Sequence, residues 1–123
     1  STLEKIKIYQ DLAATYHSTD RVKSDEMSLA SIREAEASGE KEILADAHYQ
    51  YGYIAYRRGD VATAMNEINT ALKLFSDIND STGIGMCYNR LGNIKAGFIY
   101  LKREKYHATW NHRITSIRKN NHF

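Results

Sequence analysis

The residues able to ligate, titrate or attack are few and scattered. There are five histidines and one cysteine. His107 and His112 stand five apart, whereas two ligands on one helical face are set at i, i+4. His17, His48 and His122 have no Cys, His or carboxylate at ligand spacing. No metal is expected. Cys87 aligns with inward-facing apolar residues and reads as a small buried thiol rather than a nucleophile. A single cysteine makes no internal disulfide, which fits a reducing, cytoplasmic compartment. Gly83-Ile84-Gly85 lacks the third glycine and the preceding strand of a phosphate loop. Glu34, Glu36, Glu40 and Glu42, with Lys41, read as a solvated turn between helix ends. No Ser-His-Asp or Cys-His spacing occurs. Neither an enzyme nor a cofactor site is expected.

The basic end carries more. Residues 101–123 hold six Lys or Arg and one Glu, a balance of +5, so with a net charge of +2 the first 100 residues carry 2 − 5 = −3. Lys102, Arg103, Lys105, Arg113, Arg118 and Lys119 form a candidate patch for nucleic acid or an acidic surface. A solvated face at a chain end explains the same residues, as does a contact with a following domain. The low overall charge favours these plainer readings.

The elements that must position such groups are helices. Proline is absent, hydrophobic residues are 42% and charged residues 26%, an ordinary globular balance. No run approaches the roughly 18 apolar residues of a membrane span. Residues 3–17 place Leu3, Ile6, Ile8, Tyr9, Leu12, Ala13 and Tyr16 on a mostly i, i+3, i+4 stripe. A second helix over 22–38 is expected to be capped by Ser24 and ended by Gly39. A third covers 40–58, with Gly59 as its stop. Asp60 caps a fourth, reaching Ile78, and a fifth starts near Thr82. A sixth is expected over 106–119, carrying Trp110 as a core anchor.

The chain repeats itself. Sliding it by 40 sets Gly52 on Gly92, Tyr51 on Leu91, Ala47 on Cys87 and Asp20 on Asp60. Sliding it by 45 sets Gly52 on Gly97 and Met65 on Trp110. On this pattern helix five is expected to hold about five extra residues between Gly92 and Gly97, as an added turn or a bulge. Each hairpin leaves an apolar face for its neighbour to cover.

The stretch YQYGYIAYRRGDVATAMNEINTALKL, Tyr49 to Leu74, carries the family signal. Gly52, Gly59, Ala64 and Ala71 fall where a helical hairpin needs small residues or a turn. This resembles the tetratricopeptide repeat family. Approximate repeats span 3–39, 40–79 and 82–119 of one domain, which reads as a portion of a larger protein. The first is degenerate, with Leu12 or Ala13 for the glycine and Ser24 and Ser31 for the alanines. The period exceeds the family's usual ~34 residues. Longer repeats of this kind look like those in bacterial regulatory proteins, including sensing regions of transcription activators and of cyclic-dinucleotide enzymes.

The resemblance implies an all-α, right-handed superhelical stack of antiparallel hairpins, about six helices in all, that binds protein or peptide as a scaffold or sensing module. Its first helices would line a concave groove. Carried over, the groove residues are Tyr49, Tyr53, Tyr56 and Arg57 in the second repeat. Asn89, Asn93 and Lys102 follow in the third, with Tyr9, Tyr16 and His17 as candidates in the first. Asparagine amides pair with a peptide backbone, tyrosines offer flat area at low entropy cost, and Arg57 and Lys102 suit a carboxylate. The same tyrosines could instead cover the core. Leu3, Ile6 and Ile8 leave the first helix poorly capped, so pairing with a second copy there is a further reading.

Overall fold

The computed structural model describes residues 1–97. They form α1 (Thr2–Tyr16), α2 (Arg21–Ser38), α3 (Lys41–Arg57) and α4 (Val61–Asp77), followed by α5, described over 81–97. No strand occurs among the described residues. The expected sixth helix, with Trp110, lies outside them.

Side chains set the helix starts. The Ser1 hydroxyl accepts from the Glu4 amide while the Glu4 carboxylate reaches back to the first residue, a reciprocal capping box. Asp20, Asp60 and Asp80 cap α2, α4 and α5 by accepting from the amides of Lys23, Thr63 and Gly83. Ser24 is thus not the cap of α2. It faces α1, fully buried, and its hydroxyl donates to the Ala13 carbonyl at 2.8 Å. Gly39 and Gly59 end α2 and α3 in left-handed conformations, at φ 74° and 83°, which glycine adopts without a Cβ clash.

Neighbouring helices pack as a stack of hairpins, with α1 against α2 and α3 against α4. The second hairpin has a shared apolar core: Tyr49 from α3, Ile68 and Phe75 from α4, and Cys87, Leu91 and Ile94 from α5. A second cluster joins Ile6, Ile32 and Ala35 of the first hairpin to Ala47 and Tyr51 of α3. One side of α3 therefore belongs to each cluster, and the helix is the shared wall.

Close approach fixes the second hairpin. A methyl at Gly52 would stand 2.7 Å from Ile68 Cδ1 and 3.2 Å from the Ala64 carbonyl. In the first hairpin Ala13 is fully buried and Leu12 is exposed. Ala13 therefore takes the glycine's place, one residue out of step with the 40-residue slide. The same slide puts Cys87, Leu91 and Ile94 on Ala47, Tyr51 and Ile54, and all six are buried. Of the two forms expected for the extra residues of helix five, the bulge is not seen, because the α-helix runs unbroken through Gly92 to residue 97; the residues that the slide by 45 matches beyond Gly97 lie outside the described residues. A single 40-residue register already buries its inner face.

Candidate functional site

Tyr53, Tyr56 and Arg57 share one face of α3, at the i, i+3, i+4 spacing that brings helical side chains together. Arg90 reaches them from α5. Its guanidinium carbon lies 4.4 Å from the centroid of the Tyr53 ring and 5.5 Å from that of Tyr56. The Arg57 guanidinium lies 5.8 Å from Tyr53 on the same face. Two cations thus converge on one aromatic ring, an arrangement favoured by the ring quadrupole. Both tyrosines are half-buried, as is Arg90, and Arg57 is exposed. Neither arginine makes a salt bridge among the described residues. Arg90 Nε is buried and has no hydrogen-bond partner among them. The surface is therefore apolar, aromatic and positively charged, with the charge held in place by stacking.

The remaining groove residues divide. Tyr49 is buried in the core, at 8% exposure. Its side of α3 faces α4, so it supports the site from beneath. Asn89 and Asn93 stand exposed on α5, one turn apart, and extend the polar part of the surface beside Arg90. In α1, Tyr9, Tyr16 and His17 are half-buried. Lys23 lies over the Tyr16 ring at 4.6 Å, and His17 Nδ1 is 2.8 Å from the Ala14 carbonyl. Lys102, Arg103, Lys105, Arg113, Arg118 and Lys119 lie outside the described residues. Arg90 was not among the residues expected here. The slide by 40 sets it on Gln50, a position outside those that the family resemblance supplies.

A second polar cluster joins the hairpins. Arg58 Nη2 donates to Asp25 Oδ1 on α2, which also accepts from Tyr51 at 3.0 Å. Arg58 also reaches Asp60, and Arg21 of α2 closes the ring at 2.8 Å to the same Asp60 oxygen. The Arg58 side chain is only 6% exposed. Burial alone would lower the Arg58 pKa, but the hydrogen bond and charge of Asp25 outweigh it and raise it. Burial would likewise raise Asp60, but hydrogen bonds from Thr63 and Arg58 and the charge of Arg21 leave it lowered. Burial, then the hydrogen bond to Asp25, push the Tyr51 hydroxyl up to about 12. These groups clamp α2 to the α3–α4 turn.

His48 Nδ1 lies 2.6 Å from Glu67 Oε2, a link between α3 and α4. Cys87 is fully buried, and burial pushes its thiol up to about 11, away from nucleophilic chemistry. Among the described residues no three His, Cys, Asp or Glu side chains gather as a metal would need. No helix among them is long and apolar enough to cross a membrane. Comparison with known proteins returned no family model, no curated protein and no solved structure that matches this chain.

Proposed function

We propose that this chain binds a polypeptide along the face formed by α3 and α5, as a scaffold or sensing module of a larger regulatory protein. In this reading the hairpins continue as a right-handed superhelix of the tetratricopeptide repeat kind, and the first helix of each hairpin lines its concave side. The observation that carries the reading is the stack of Arg90 and Arg57 on Tyr53. It keeps aromatic area and cationic donors at the surface rather than spending them on the core. Such side chains dominate the centres of protein interfaces. Asn89 and Asn93 supply donors and acceptors for a backbone.

Selection of a phage-displayed random decapeptide library on the full chain tests this. Enriched peptides should lose binding to the double variant Tyr53→Ala/Arg57→Ala while its far-ultraviolet circular dichroism stays unchanged. Failure to enrich any peptide, or equal binding to the double variant, would remove the groove assignment.

A second reading rests on the outer face of α1. Ile8 and Leu12 are 57% and 37% exposed. In the register set by Ala13 they correspond to Ala47 and Tyr51, the residues through which α3 meets the hairpin before it. That face suits a second copy of the chain. Sedimentation should show a dimer that Leu12→Glu dissociates, and a monomeric wild type at high concentration would end this reading.

A further inference from the structure

We infer that the segment received by this face is acidic, and that Arg90 is the residue that receives its carboxylate. The inference rests on the polypeptide-binding reading above and adds the chemistry of the partner. Arg90 lies over two rings, Tyr53 and Tyr56, and its Nε is buried. A guanidinium held in this way has already lost most of the rotamer freedom that binding would otherwise cost. Neither it nor Arg57 is neutralised by a carboxylate among the described residues. Arg58, whose side chain is buried, makes the contrast. It is paired with both Asp25 and Asp60, as a buried charge should be. Two stacked cations with no carboxylate partner among the described residues complement a carboxylate, which a guanidinium fork grips at two points.

A polypeptide fits better than a nucleic acid. The same side of α3 carries Glu42 and the half-buried Asp46 toward its start. Positions 42, 46, 50, 53 and 57 lie along one helical face at i+3 and i+4 steps. The face therefore changes sign along its length, acidic near Glu42 and basic at Arg57 and Arg90. A continuous phosphate backbone would be repelled at the acidic end, whereas a short peptide can carry its carboxylates at one end only.

Peptides enriched from the decapeptide library should be rich in Asp or Glu at a fixed position. Changing those residues to Asn or Gln should weaken binding tenfold or more. Hexaglutamate should displace a bound fluorescent peptide, and hexaglutamine should not. Arg90→Ala and Arg90→Met should each cost tenfold or more, the methionine variant keeping a stem against the two rings so that folding is preserved. Arg57→Ala should cost about threefold, since its contact with Tyr53 is longer and exposed. Enriched peptides without acidic bias, or peptides whose binding survives Arg90→Met, would overturn the inference and leave polypeptide binding intact. Tighter, Arg90-dependent binding of a twelve-nucleotide single strand would overturn it in favour of nucleic acid. No enrichment at all would remove both readings.

Discussion

The two described hairpins share a shape and differ in what fills it. In α3–α4 the crossing is apolar: Gly52 lies under Ile68 and Ala64, with Ala71 and Tyr49 beside them. In α1–α2 the slide by 40 sets Ser24, Ser28 and Ser31 on Ala64, Ile68 and Ala71, and all three serines are buried. Ser24 donates to the Ala13 carbonyl and Ser31 to that of Ser28. Ser28 Oγ and Gln10 Nε2 are buried without partners among the described residues. The apolar residues of the first hairpin, Ile6, Ile32 and Ala35, are spent on α3 instead. One backbone geometry is thus held by close apolar packing in one hairpin, whereas in the other the equivalent places are small and polar and one hydroxyl, that of Ser24, bonds across to α1. The second hairpin carries its own core, and the first borrows one.

The largest expected effect tests this asymmetry at its centre. Ile68 is fully buried, and Ile68→Ala should destabilise the chain by about 2–5 kcal/mol, as large-to-small core changes do. Ser28→Ala, at the equivalent place, removes an unpartnered hydroxyl and should be neutral or stabilising by under ~1 kcal/mol. Urea unfolding of both variants reads the difference. A comparable loss at Ser28 would mean that the first hairpin is packed as tightly as the second.

How far the sequence revealed this depended on the residue type. Glycine and aspartate were legible because backbone geometry restricts the choice: Gly39 and Gly59 have positive φ, and Asp60 caps where expected. The buried Ala47 and Tyr51 and their counterparts Cys87 and Leu91 were legible as a repeat. Serine was not, because a hydroxyl suits a cap and a helix crossing equally well. Ser24 was expected at the first and lies at the second. In the site, Tyr49, Tyr53, Tyr56 and Arg57 came together from the family resemblance, and nothing in the sequence separates the buried Tyr49 from the other three. A tyrosine packs in a core or lies on a surface, and only the position of α4 decides. Arg90 and the Asp25–Arg58 pair are separated from their partners by more than thirty residues of sequence, beyond the reach of any local pattern.

The next effect concerns the clamp between the hairpins. Asp25→Ala would leave Arg58 buried with only Asp60, whose oxygen stands at 3.4 Å. Stranding a buried charge costs several kcal/mol, but Asp25 is 30% exposed, so a loss of about 2–3 kcal/mol is expected. Native-state hydrogen exchange should show it concentrated in α1 and α2, because the hairpin that lacks its own core depends most on being held. Uniform loss across all the helices would show that the two hairpins fold as one unit.

Alkaline pH acts on the two clusters in turn. Cys87, in the second hairpin's core, ionises at 9.0 in the unfolded chain and at about 11 in the folded one. Tyr51, at the junction, moves from 10.0 to about 12. Both folded values are raised, so the stabilisation is complete below pH 9 and is lost as pH rises toward 11 and 12. Above the unfolded value the unfolded chain gives up its proton and the folded chain does not, which draws the equilibrium toward unfolding. The Cys87 share is on the order of 2 kcal/mol. Cys87→Ala should flatten the pH dependence of urea unfolding between 9 and 11 and leave the later fall, due to Tyr51, in place. An unchanged profile in that variant would mean that the thiol is open to solvent.

The smallest effect comes from exchanging the two residues at the crossings. Gly52→Ala gains about 1 kcal/mol of helix propensity. Its methyl must displace Ile68 from 2.7 Å and press on the Ala64 carbonyl at 3.2 Å, and overpacking of this kind costs about 1–3 kcal/mol. A net loss of about 1 kcal/mol is expected. Ala13→Gly forfeits about 1 kcal/mol of propensity with no clash to relieve, because a serine rather than an isoleucine lies across from it. The same pair of residues thus costs stability in both directions, but for opposite reasons. Combining Gly52→Ala with Ile68→Val should recover most of the first loss by giving the new methyl room. Combining Ala13→Gly with Ser28→Ile should recover part of the second by filling the space above the glycine. If neither double variant recovered stability, the two crossings would not be equivalent, and the one-residue shift that places Ala13 on Gly52 would have to be abandoned.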